Sequence, residues 1–312
     1  MRAIVTGATG FVGANLARRL LKDGHEVHLF LRSGYTRWRI DEIRDHVQIR
    51  LIDINDSERL AQTVKEIRPD WIFHLAAYGA YPSQVDVQRI LQTNILGTVN
   101  LVQACLKAGF DTFVNTGSSS EYGFKDHAPS ENELPAPNSH YAVAKVSATM
   151  FCQFTARNQK VRIPTLRLYS AYGPFEEPTR LLPRLIALGI KGSLPPLADP
   201  SIARDFVYVD DVLDAYLMAA NRKDQALDAV YNVGSGTQTS LKQVVDVARR
   251  VLNIKTEPVW GTMKQRTWDT NVWVADSRKI RQQLGWQPHY DFESGFVRTV
   301  KWFRENLDRY RS

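Results

Sequence analysis

The chain has 312 residues, of which 44% are hydrophobic and 23% charged, a composition typical of a folded globular protein and not of a disordered one. Its net charge of +7 suits an anionic partner, but the basic residues form no stripe or tail, which argues against nucleic acid. No apolar run approaches the length of a membrane span and no leader-like segment precedes the first predicted strand, so we expect a cytoplasmic protein without membrane contact. Cys105 and Cys152, the only cysteines, predict neither a disulfide framework nor a cysteine metal site.

Three glycines, Gly7, Gly10 and Gly13, follow a short apolar run that predicts a strand, and they open a run that predicts a helix ending near Gly24. Such a turn lets the backbone pass close to a pyrophosphate and directs free helix N–H groups at it. The spacing is a variant of the commoner dinucleotide fingerprint. We therefore expect a dinucleotide to be held by Gly7, Thr9, Gly10, Phe11 and Val12.

The end of the second predicted strand, 26–31, favours a particular cofactor. In a dinucleotide fold this end faces the adenosine ribose, where an acid would bind the 2′-hydroxyl of NAD. Arg32 and Ser33 stand there instead, and an arginine can grip a 2′-phosphate. The pattern favours NADP (NADPH), with NAD as the alternative if Arg32 is only a surface residue.

Predicted strands over 47–52 and 71–75 flank a predicted helix over 57–67. This alternation is typical of an α/β fold, a doubly wound Rossmann sheet of parallel strands with helices on both faces. Asp53 either bonds the adenine amino group or caps a turn. His74 is interpreted as a strand histidine, because no second ligand lies at zinc spacing, and we expect no metal site.

A helical pattern over 83–107 carries an apolar surface too broad for one contact with a sheet, so part of it is expected to face a second subunit. The next predicted strand, 111–116, runs into the polar turn 117–123. Ligands of parallel sheets lie beyond the carboxyl ends of the strands, so this turn is expected beside the ligand. Ordinary loop chemistry explains its serines equally well.

Tyr141 and Lys145 are four residues apart in a predicted helix and therefore share one face. A lysine charge near the phenol favours tyrosinate and lowers the tyrosine pKa from about 10 towards the range of a working proton donor and acceptor. The pair is weak evidence by itself. It gains weight because it follows a dinucleotide loop and a serine-bearing strand end.

Together these stretches resemble an extended short-chain dehydrogenase/reductase of the NAD(P)-dependent nucleotide-sugar epimerase/dehydratase family. The shared motifs span nearly the whole chain and occur in the family's order. They are Thr6-Gly7-x-x-Gly10-x-x-Gly13, His74-Leu75-Ala76-Ala77, Asn94 with Gly97-Thr98, Ser118, Tyr141-x-x-x-Lys145, Leu166-Arg167-x-x-Ser170-x-Tyr172-Gly173-Pro174, Arg204 to Asp211, Asn232-Val233-Gly234 and Leu284-Gly285-Trp286-x-Pro288. Within the family, these motifs are similar to those of 4-ketoreductases of the CDP-abequose synthase type.

The resemblance implies roles for individual residues. Tyr141 would be the general acid/base, Lys145 would hold the nicotinamide ribose and tune the tyrosine, and Ser118 would bond the reacting sugar oxygen. Further contacts are implied with the cofactor for Asp53, Ile54, Leu75, Ala76, Ala77, Asn94 and Thr116, and with the substrate for Ser119, Ser120 and Ser170.

Two departures from the family pattern narrow the expected activity. Dehydratases of the family carry acids directly after the Ser118 position, whereas this chain has Ser119 and Ser120 there and Glu121 one position late. A shift of one residue in an extended segment turns a side chain to the other side, so dehydration is disfavoured. The second departure is Ser170, where many members carry asparagine.

Beyond a sixth predicted strand, 164–168, the turn at 172–174 predicts a departure from the sheet into a smaller lid, with a strand over 204–209. Asp210 and Asp211 are interpreted as the cap of a helix over 212–221 and not as a metal site. We expect residues 1–168 and about 207–233 to form the dinucleotide-binding domain, and about 169–206 and 234–312 the nucleotide-sugar-binding domain. Guanidinium groups fit phosphate oxygens, so the candidates for the substrate diphosphate are Arg180, Arg204 and Arg266. Arg266 is favoured, because it matches the place where the family supplies an arginine to the substrate diphosphate. The alternative role of Arg204 is a structural ion pair.

The leading hypothesis is an NADPH-dependent reductase of a nucleotide-linked 4-keto-6-deoxyhexose, acting at C4. The alternative is a nucleotide-sugar epimerase that works through a transient 4-keto intermediate; Arg32 favours the reductase, which must exchange a reduced cofactor at each turnover. A non-catalytic dinucleotide-sensing or nucleic-acid-binding relative is the second alternative, but it would have no need for Ser118, Tyr141 and Lys145 together. The expected partners are a nucleotide-diphosphate sugar and a second copy of the chain, in a homodimer through helices at about 83–107 and 139–158.

Overall fold

The computed structural model describes residues 1–263 and 270–310. Within these residues the main sheet has seven strands in the order β10-β6-β5-β4-β1-β2-β3, and all their registered pairs are parallel. Two short two-stranded sheets, β7 with β9 and β8 with β11, lie outside it. The strands are β1 Arg2–Thr6, β2 Glu26–Leu31, β3 Gln48–Leu51, β4 Trp71–His74, β5 Thr112–Ser118, β6 Thr165–Leu168, β7 Ser170–Tyr172, β8 Ala203–Arg204, β9 Phe206–Tyr208, β10 Val230–Val233 and β11 Thr239–Ser240.

Helices alternate with the strands of the main sheet, as a parallel sheet requires. They are α1 Phe11–Lys22, α2 Ser57–Ile67, α3 Val87–Leu91, α4 Gly97–Ala108, α5 His140–Gln159, α6 Leu181–Gly189, α7 Val209–Asn221, α8 Leu241–Leu252, α9 Arg278–Leu284 and α10 Phe292–Asn306. A π-helical turn, Gln92–Leu96, joins α3 to α4, and 3₁₀ turns cover Asp41–His46, Ser119–Tyr122 and Leu307–Tyr310. None of the described helices is long and apolar enough to cross a membrane.

The chain runs outward from β1 through β2 to β3 and then returns to place β4 on the other side of β1. The strand order therefore reverses between β1 and β4. In open α/β sheets this reversal leaves a crevice at the carboxyl ends of the strands, and ligands bind there. The glycine turn that follows β1 lies at this crevice, and the predicted α/β Rossmann fold is confirmed.

Several predicted bounds change in the structure. The helix predicted from residue 83 begins at Val87 and passes through the π-helical turn. The strand predicted over 204–209 is split at Asp205, a buried residue whose carboxylate accepts the backbone N–H groups of Ser235, Gly236 and Ala275 at 2.7, 2.9 and 2.9 Å. Because of these three bonds, Asp205 does not pair as a strand residue and separates β8 from β9.

The prediction that Asp210 and Asp211 cap a helix is wrong. Helix α7 begins at Val209, so both acids lie in its first turn. The Asp211 carboxylate instead accepts the backbone N–H groups of His289 and Tyr290, at 2.8 and 3.2 Å. Because these partners are far away in sequence, Asp211 ties the C-terminal segment to α7.

The apolar core lies on both faces of the main sheet. On one face α1 and α7 pack together, and this core continues through Trp286 to Phe296 and Phe303 of α10. On the other face α2, α4 and part of α5 pack over β4 and β5, with Leu60 and Leu101 fully buried. The two predicted domains thus share one continuous core, and the domain bounds given above stay a prediction.

Candidate active site at the carboxyl ends of the strands

The glycine turn packs so closely that two of its glycines have no room for a side chain. Gly7 has φ +70°, and a Cβ there would lie 2.6 Å from backbone atoms of Leu75 and Ala76. A Cβ on Gly13 would lie 2.4 Å from the Gly7 oxygen. Gly10 closes the turn by donating its N–H to the Gly7 oxygen at 2.9 Å. The turn therefore draws the start of α1 directly onto the end of β4.

The amino end of α1 is open to an anion. Gly10 is its N-cap residue and provides no side-chain cap, and no acid stands in the first turn of this described helix. The orphan N–H groups and the positive end of the helix dipole favour a negatively charged group there. The closely packed glycine turn and the uncapped amino end of α1 fit the diphosphate of a dinucleotide. Thr9, Phe11 and Val12 lie at this position, as the sequence predicts.

A chain of buried hydrogen bonds connects β1, β4 and α4. Thr6 Oγ1 accepts the N–H groups of Leu75 and Ala76 at 3.2 and 3.1 Å and bonds His74 Nδ1 at 2.8 Å. His74 Nε2 lies 2.9 Å from Thr98 Oγ1, which donates to the Asn94 oxygen. The Thr98 hydroxyl donates its proton to Asn94, so it can only accept a hydrogen bond from His74. His74 therefore carries its proton on Nε2 and accepts through Nδ1. Burial, with a smaller effect of the Lys145 charge, lowers the His74 pKa to about 3, so the ring is neutral.

Asn94, in the π-helical turn, fixes the segment that follows Ala77. Its side-chain amide donates to the Tyr78 oxygen at 2.7 Å and accepts the Tyr78 N–H at 2.9 Å. Both polar ends of the buried amide are therefore engaged with backbone. Asn94 shapes the wall of the crevice, and its direct contact with a cofactor stays a prediction.

The predicted adenosine end lies at the carboxyl ends of β2 and β3. Arg32 and Ser33 are exposed there directly after β2. Asp53 accepts both the N–H and the side-chain amide of Asn55 at 2.9 Å, so it forms a turn, one of its two predicted roles. Ile54 is buried and meets Gly97, where a Cβ would lie 2.4 Å from the Ile54 side chain.

Lys145 lies deep in the site, at the end of β5. Its ammonium donates to the Thr116 oxygen at 2.9 Å and is 5.8 Å from the centre of the Tyr141 ring. Burial lowers the Lys145 pKa to about 8. Thr116 is itself held by a 2.6 Å hydrogen bond between Oγ1 and the Tyr216 hydroxyl. Helix α5 thus presents Lys145 and Tyr141 on the face that β5 approaches.

The acid/base state of Tyr141 differs from the prediction. Burial raises the Tyr141 pKa to about 12, while a hydrogen bond with Ser118 acts in the opposite direction. A lowered pKa, predicted from the neighbouring lysine, is wrong for this structure, because the Lys145 ammonium binds the Thr116 oxygen and burial dominates. Tyr141 is consequently protonated at neutral pH.

Ser118 ends β5 and starts the 3₁₀ turn that carries the other serines. Its Oγ lies 2.7 Å from Ser120 Oγ and accepts the Ser120 N–H at 3.2 Å. Ser119 is buried, and Ser120 is half-buried. Ser118 lies near enough to Tyr141 to lower its pKa against the effect of burial, so the structure brings the predicted serine and tyrosine together.

Glu121 and Arg167 form a buried ion pair that the sequence analysis missed. Glu121 accepts the Ser118 N–H at 2.8 Å and the Arg167 Nε–H at 2.9 Å, and both side chains are almost completely buried. Arg167 also donates to the Tyr122 hydroxyl at 2.7 Å. An arginine inside an apolar strand, Leu166-Arg167-Leu168, was the available signal. The carboxylate is directed into the fold, where it holds the Ser118 turn in place.

The predicted substrate residues are distributed over several elements. Ser170 is half-buried in β7. Arg204 in β8 donates to the oxygens of Ala203 and Thr270 at 2.7 and 3.1 Å, and its guanidinium lies 5.4 Å from the Trp273 ring. Arg180 precedes α6, with Nε 3.7 Å from Glu176 Oε1. Arg266 lies outside the described residues.

Comparison with known proteins agrees with this geometry. The model of the NAD dependent epimerase/dehydratase family matches residues 3–234. The chain belongs to this family. The UDP-glucose 4-epimerase of Mycolicibacterium smegmatis is 31% identical over 316 residues, which cover 97% of this chain and 99% of that protein. The GDP-6-deoxy-D-mannose reductase of Pseudomonas aeruginosa is 28% identical over 298 residues, 92% of each chain.

Solved structures of the family share the whole fold. UDP-glucose 4-epimerase from Thermotoga maritima, crystallised with UDP-glucose, gives a TM-score of 0.89 at 28% identity, covering 98% of this chain and 100% of that one. UDP-glucuronic acid 4-epimerase from Bacillus cereus, in complex with UDP-glucuronic acid and NAD, gives a TM-score of 0.87 at 27% identity, with coverages of 98% and 100%. These likenesses identify a member of the epimerase/dehydratase family.

Replacing Gly13 by alanine tests the tight glycine turn. The added methyl group would lie 2.4 Å from the Gly7 oxygen, so the turn must open and misplace the N–H groups at the start of α1. We expect the affinity for the dinucleotide, measured by fluorescence titration with NADH and with NADPH, to fall by about tenfold or more, or about 1.4 kcal/mol.

Gly192→Ala is the control, because Gly192 has φ +77°, so that the substitution strains the backbone, but nothing lies within 4 Å of the new Cβ. It lowers stability through backbone strain and leaves NADPH affinity unchanged. Equal affinity in Gly13→Ala and the wild type would contradict the assignment of this turn.

Proposed function

We propose that this family member is an NADPH-dependent oxidoreductase that reduces a nucleoside-diphosphate 4-keto-6-deoxyhexose at C4. The observation that carries the proposal is the pair Arg32 and Ser33, exposed at the carboxyl end of β2 where an NAD enzyme would place an acid. A guanidinium suits the 2′-phosphate of NADPH. A reductase consumes a reduced cofactor at each turnover, and NADPH is the usual source.

The residues at the end of β5 supply the proton chemistry of such a reduction. When bound, the dinucleotide supplies a hydride to C4. The Tyr141 hydroxyl gives its proton to the resulting alkoxide, and the C4 carbonyl becomes a secondary alcohol. The Tyr141 hydroxyl carries that proton at neutral pH, as a phenol does whether its pKa is the ordinary value of about 10 or is raised by burial. Ser118 orients the carbonyl oxygen, and Lys145 holds the ribose and restores charge balance beside the phenolate.

The buried ion pair argues against dehydration as the activity. Dehydration at neighbouring carbons requires an acid and a base beside the sugar in addition to the tyrosine. Ser119 and Ser120 carry no carboxylate, and the Glu121 carboxylate is occupied by Arg167 and the Ser118 N–H. This supports chemistry at a single carbon.

An epimerase acting through a transient 4-keto sugar is the second candidate. It is favoured by the relatives, since the UDP-glucose 4-epimerase of M. smegmatis and the T. maritima structure match the chain over nearly its full length. The B. cereus structure contains NAD, the alternative cofactor. Both candidates use Ser118, Tyr141 and Lys145, so the fate of the hydride separates them.

A panel of nucleotide-linked 4-keto sugars, offered with NADPH and with NADH, distinguishes the two activities. A reductase oxidises one cofactor for each sugar reduced, whereas an epimerase yields an isomerised sugar from the corresponding 4-hydroxy substrate without net oxidation. We expect Tyr141→Phe to reduce turnover by about 10²- to 10⁴-fold, because the proton donor is lost, while NADPH binding is retained. Full turnover by the variant would contradict the role of Tyr141.

Replacing Arg32 by glutamine tests the cofactor preference. Loss of the guanidinium removes a charge-assisted contact to the 2′-phosphate, so we expect NADPH affinity to fall about tenfold relative to NADH. Arg44→Gln, an exposed arginine in the 3₁₀ turn Asp41–His46, removes the same charge from the same region and leaves the ratio unchanged. A wild-type protein that binds NADH as tightly as NADPH would overturn the NADPH proposal.

We also propose a homodimer through α3, the π-helical turn and α5. The two helices pack beside each other, and together they expose a set of large apolar side chains. A contiguous apolar surface of this kind marks an interaction site. The exposed residues are Val87, Leu91, Leu96, Val143, Met150 and Phe154.

Phe154→Glu tests this interface, because Phe154 is 62% exposed and a carboxylate there would be buried on association. We expect the variant to sediment as a monomer under conditions in which the wild type sediments as a dimer. Val297→Glu, which places the same charge on an exposed valine of α10, is expected to remain dimeric. Dissociation of both variants, or of neither, would contradict the proposed surface.

A further inference from the structure

Arg39 is a buried arginine, 6% exposed, that bonds two segments distant in sequence. Its guanidinium donates to the Thr9 oxygen in the glycine turn at 3.1 Å. It also donates to the Phe175 oxygen at 2.7 Å and to Glu177 Oε2 at 2.9 Å. The planar fork of an arginine suits such a set of acceptors, and one ammonium group could not reproduce it.

The segment bonded by Arg39 contains a residue in an unfavourable backbone conformation. Phe175 has φ +66°, a region that residues other than glycine seldom adopt. Its ring lies between the Arg18 guanidinium, 3.9 Å from the ring centre, and Trp302, at 4.6 Å between centroids. Such a conformation persists only where the surroundings enforce it, and the Arg39 bond to the Phe175 oxygen is part of that enforcement.

The same segment determines where Arg180 lies. The Arg180 N–H donates to the Glu177 oxygen at 2.9 Å, so the backbone of Arg180 rests on the residue that Arg39 binds. The Arg180 guanidinium is 3.7 Å from the carboxylate of Glu176, a residue 6% exposed. The path from Arg39 to Arg180 therefore consists of one ion pair and one backbone hydrogen bond.

Arg180 in turn faces the reacting end of the site. Its guanidinium lies 5.9 Å from the Tyr81 ring. The N–H groups of Tyr81 and Gly79 share Gln84 Oε1 as their acceptor, at 3.3 and 2.9 Å. A Cβ on Gly79 would lie 3.3 Å from the Tyr141 ring, so this loop packs against Tyr141.

We propose that Arg39 is a positioning residue, which fixes the position of Arg180 relative to the glycine turn that binds the dinucleotide. The inference rests on the proposed function and on the prediction from the sequence that Arg180 binds the diphosphate of the nucleotide sugar. Through Arg39, the turn that binds the cofactor and the arginine that binds the substrate become parts of one bonded unit. Arg39, at 6% exposed, offers almost no surface to a ligand and would act through Arg180.

A double-mutant cycle on kcat/KM tests the proposal. If Arg39 acts through Arg180, Arg39→Gln and Arg180→Gln each lower kcat/KM for the nucleotide sugar about tenfold, and the double variant is no worse than the poorer single variant. The affinity of Arg39→Gln for NADPH stays within about threefold of the wild type, because the Gly7 and Gly13 contacts remain. Additive losses in the double variant would overturn the inference, since they indicate independent effects.

Two further variants guard against a simple folding defect. Glu177→Gln removes only the charged partner of Arg39 and is expected to lower kcat/KM in the same direction by a smaller factor. Arg44→Gln removes an exposed arginine from the same region and leaves kcat/KM unchanged. If Arg39→Gln lowers stability as expected for a lost ion pair while Glu177→Gln leaves kcat/KM at the wild-type value, Arg39 is only structural and the inference fails.

Hydrogen exchange provides a test that needs no substrate. In Arg39→Gln we expect the Arg180 amide to exchange about tenfold faster, whereas amides of α2 keep the wild-type rate. Unchanged exchange at Arg180 would overturn the inference even if the enzyme turns over. Faster exchange at Arg180 in a protein that turns over no nucleotide sugar of the panel would instead refute the proposed function, leaving the link from Arg39 to Arg180 intact.

Discussion

The contact on which the site depends is backbone against backbone, where the glycine turn touches the end of β4. Gly7 meets Leu75 and Ala76, and Gly13 meets Gly7, with no space for a Cβ at either position. This approach brings the uncapped start of α1 into the crevice where the strand order reverses. Thr6 strengthens the contact by accepting the N–H groups of Leu75 and Ala76, the two residues that follow β4. Without it, the positive helix end and the end of β5 would not face one ligand.

Polar groups buried behind this contact hold the reacting side chains. Neutral His74 links β1 to α4, and the Glu121 carboxylate bonds the Ser118 N–H while Arg167 neutralises its charge. A buried charge is tolerated only when paired and hydrogen-bonded, so these groups specify one arrangement of the strand ends. The serine turn is therefore held by buried contacts within the protein itself, as preorganised catalysis requires.

Short-range sequence patterns were sufficient to predict the strands and helices of the main sheet. Strand β2 and helix α2 were predicted at their observed positions, because hydrophobic periodicity is a short-range property. Asp211 and the Glu121–Arg167 pair required contacts between residues 46 to 79 positions apart, which no spacing rule contains. The predicted direction of the Tyr141 pKa shift was wrong for a related reason. The lysine was correctly placed near the tyrosine, but burial, a property of the whole fold, outweighed it.

The two halves of the site differ in how they are built, and this bears on which chemistry they serve. The cofactor half consists of backbone packed without free space, which any dinucleotide enzyme of this family needs. The predicted substrate half takes its residues from separate elements, with Arg180 before α6 and Arg204 in β8. Both lie outside the seven-stranded sheet, so residues there can be replaced and substrate choice changed while the redox frame stays constant. The fold therefore supports reduction and epimerisation alike. Our proposal of reduction depends instead on one exposed residue at the carboxyl end of β2, Arg32, whose guanidinium suits the 2′-phosphate of NADPH.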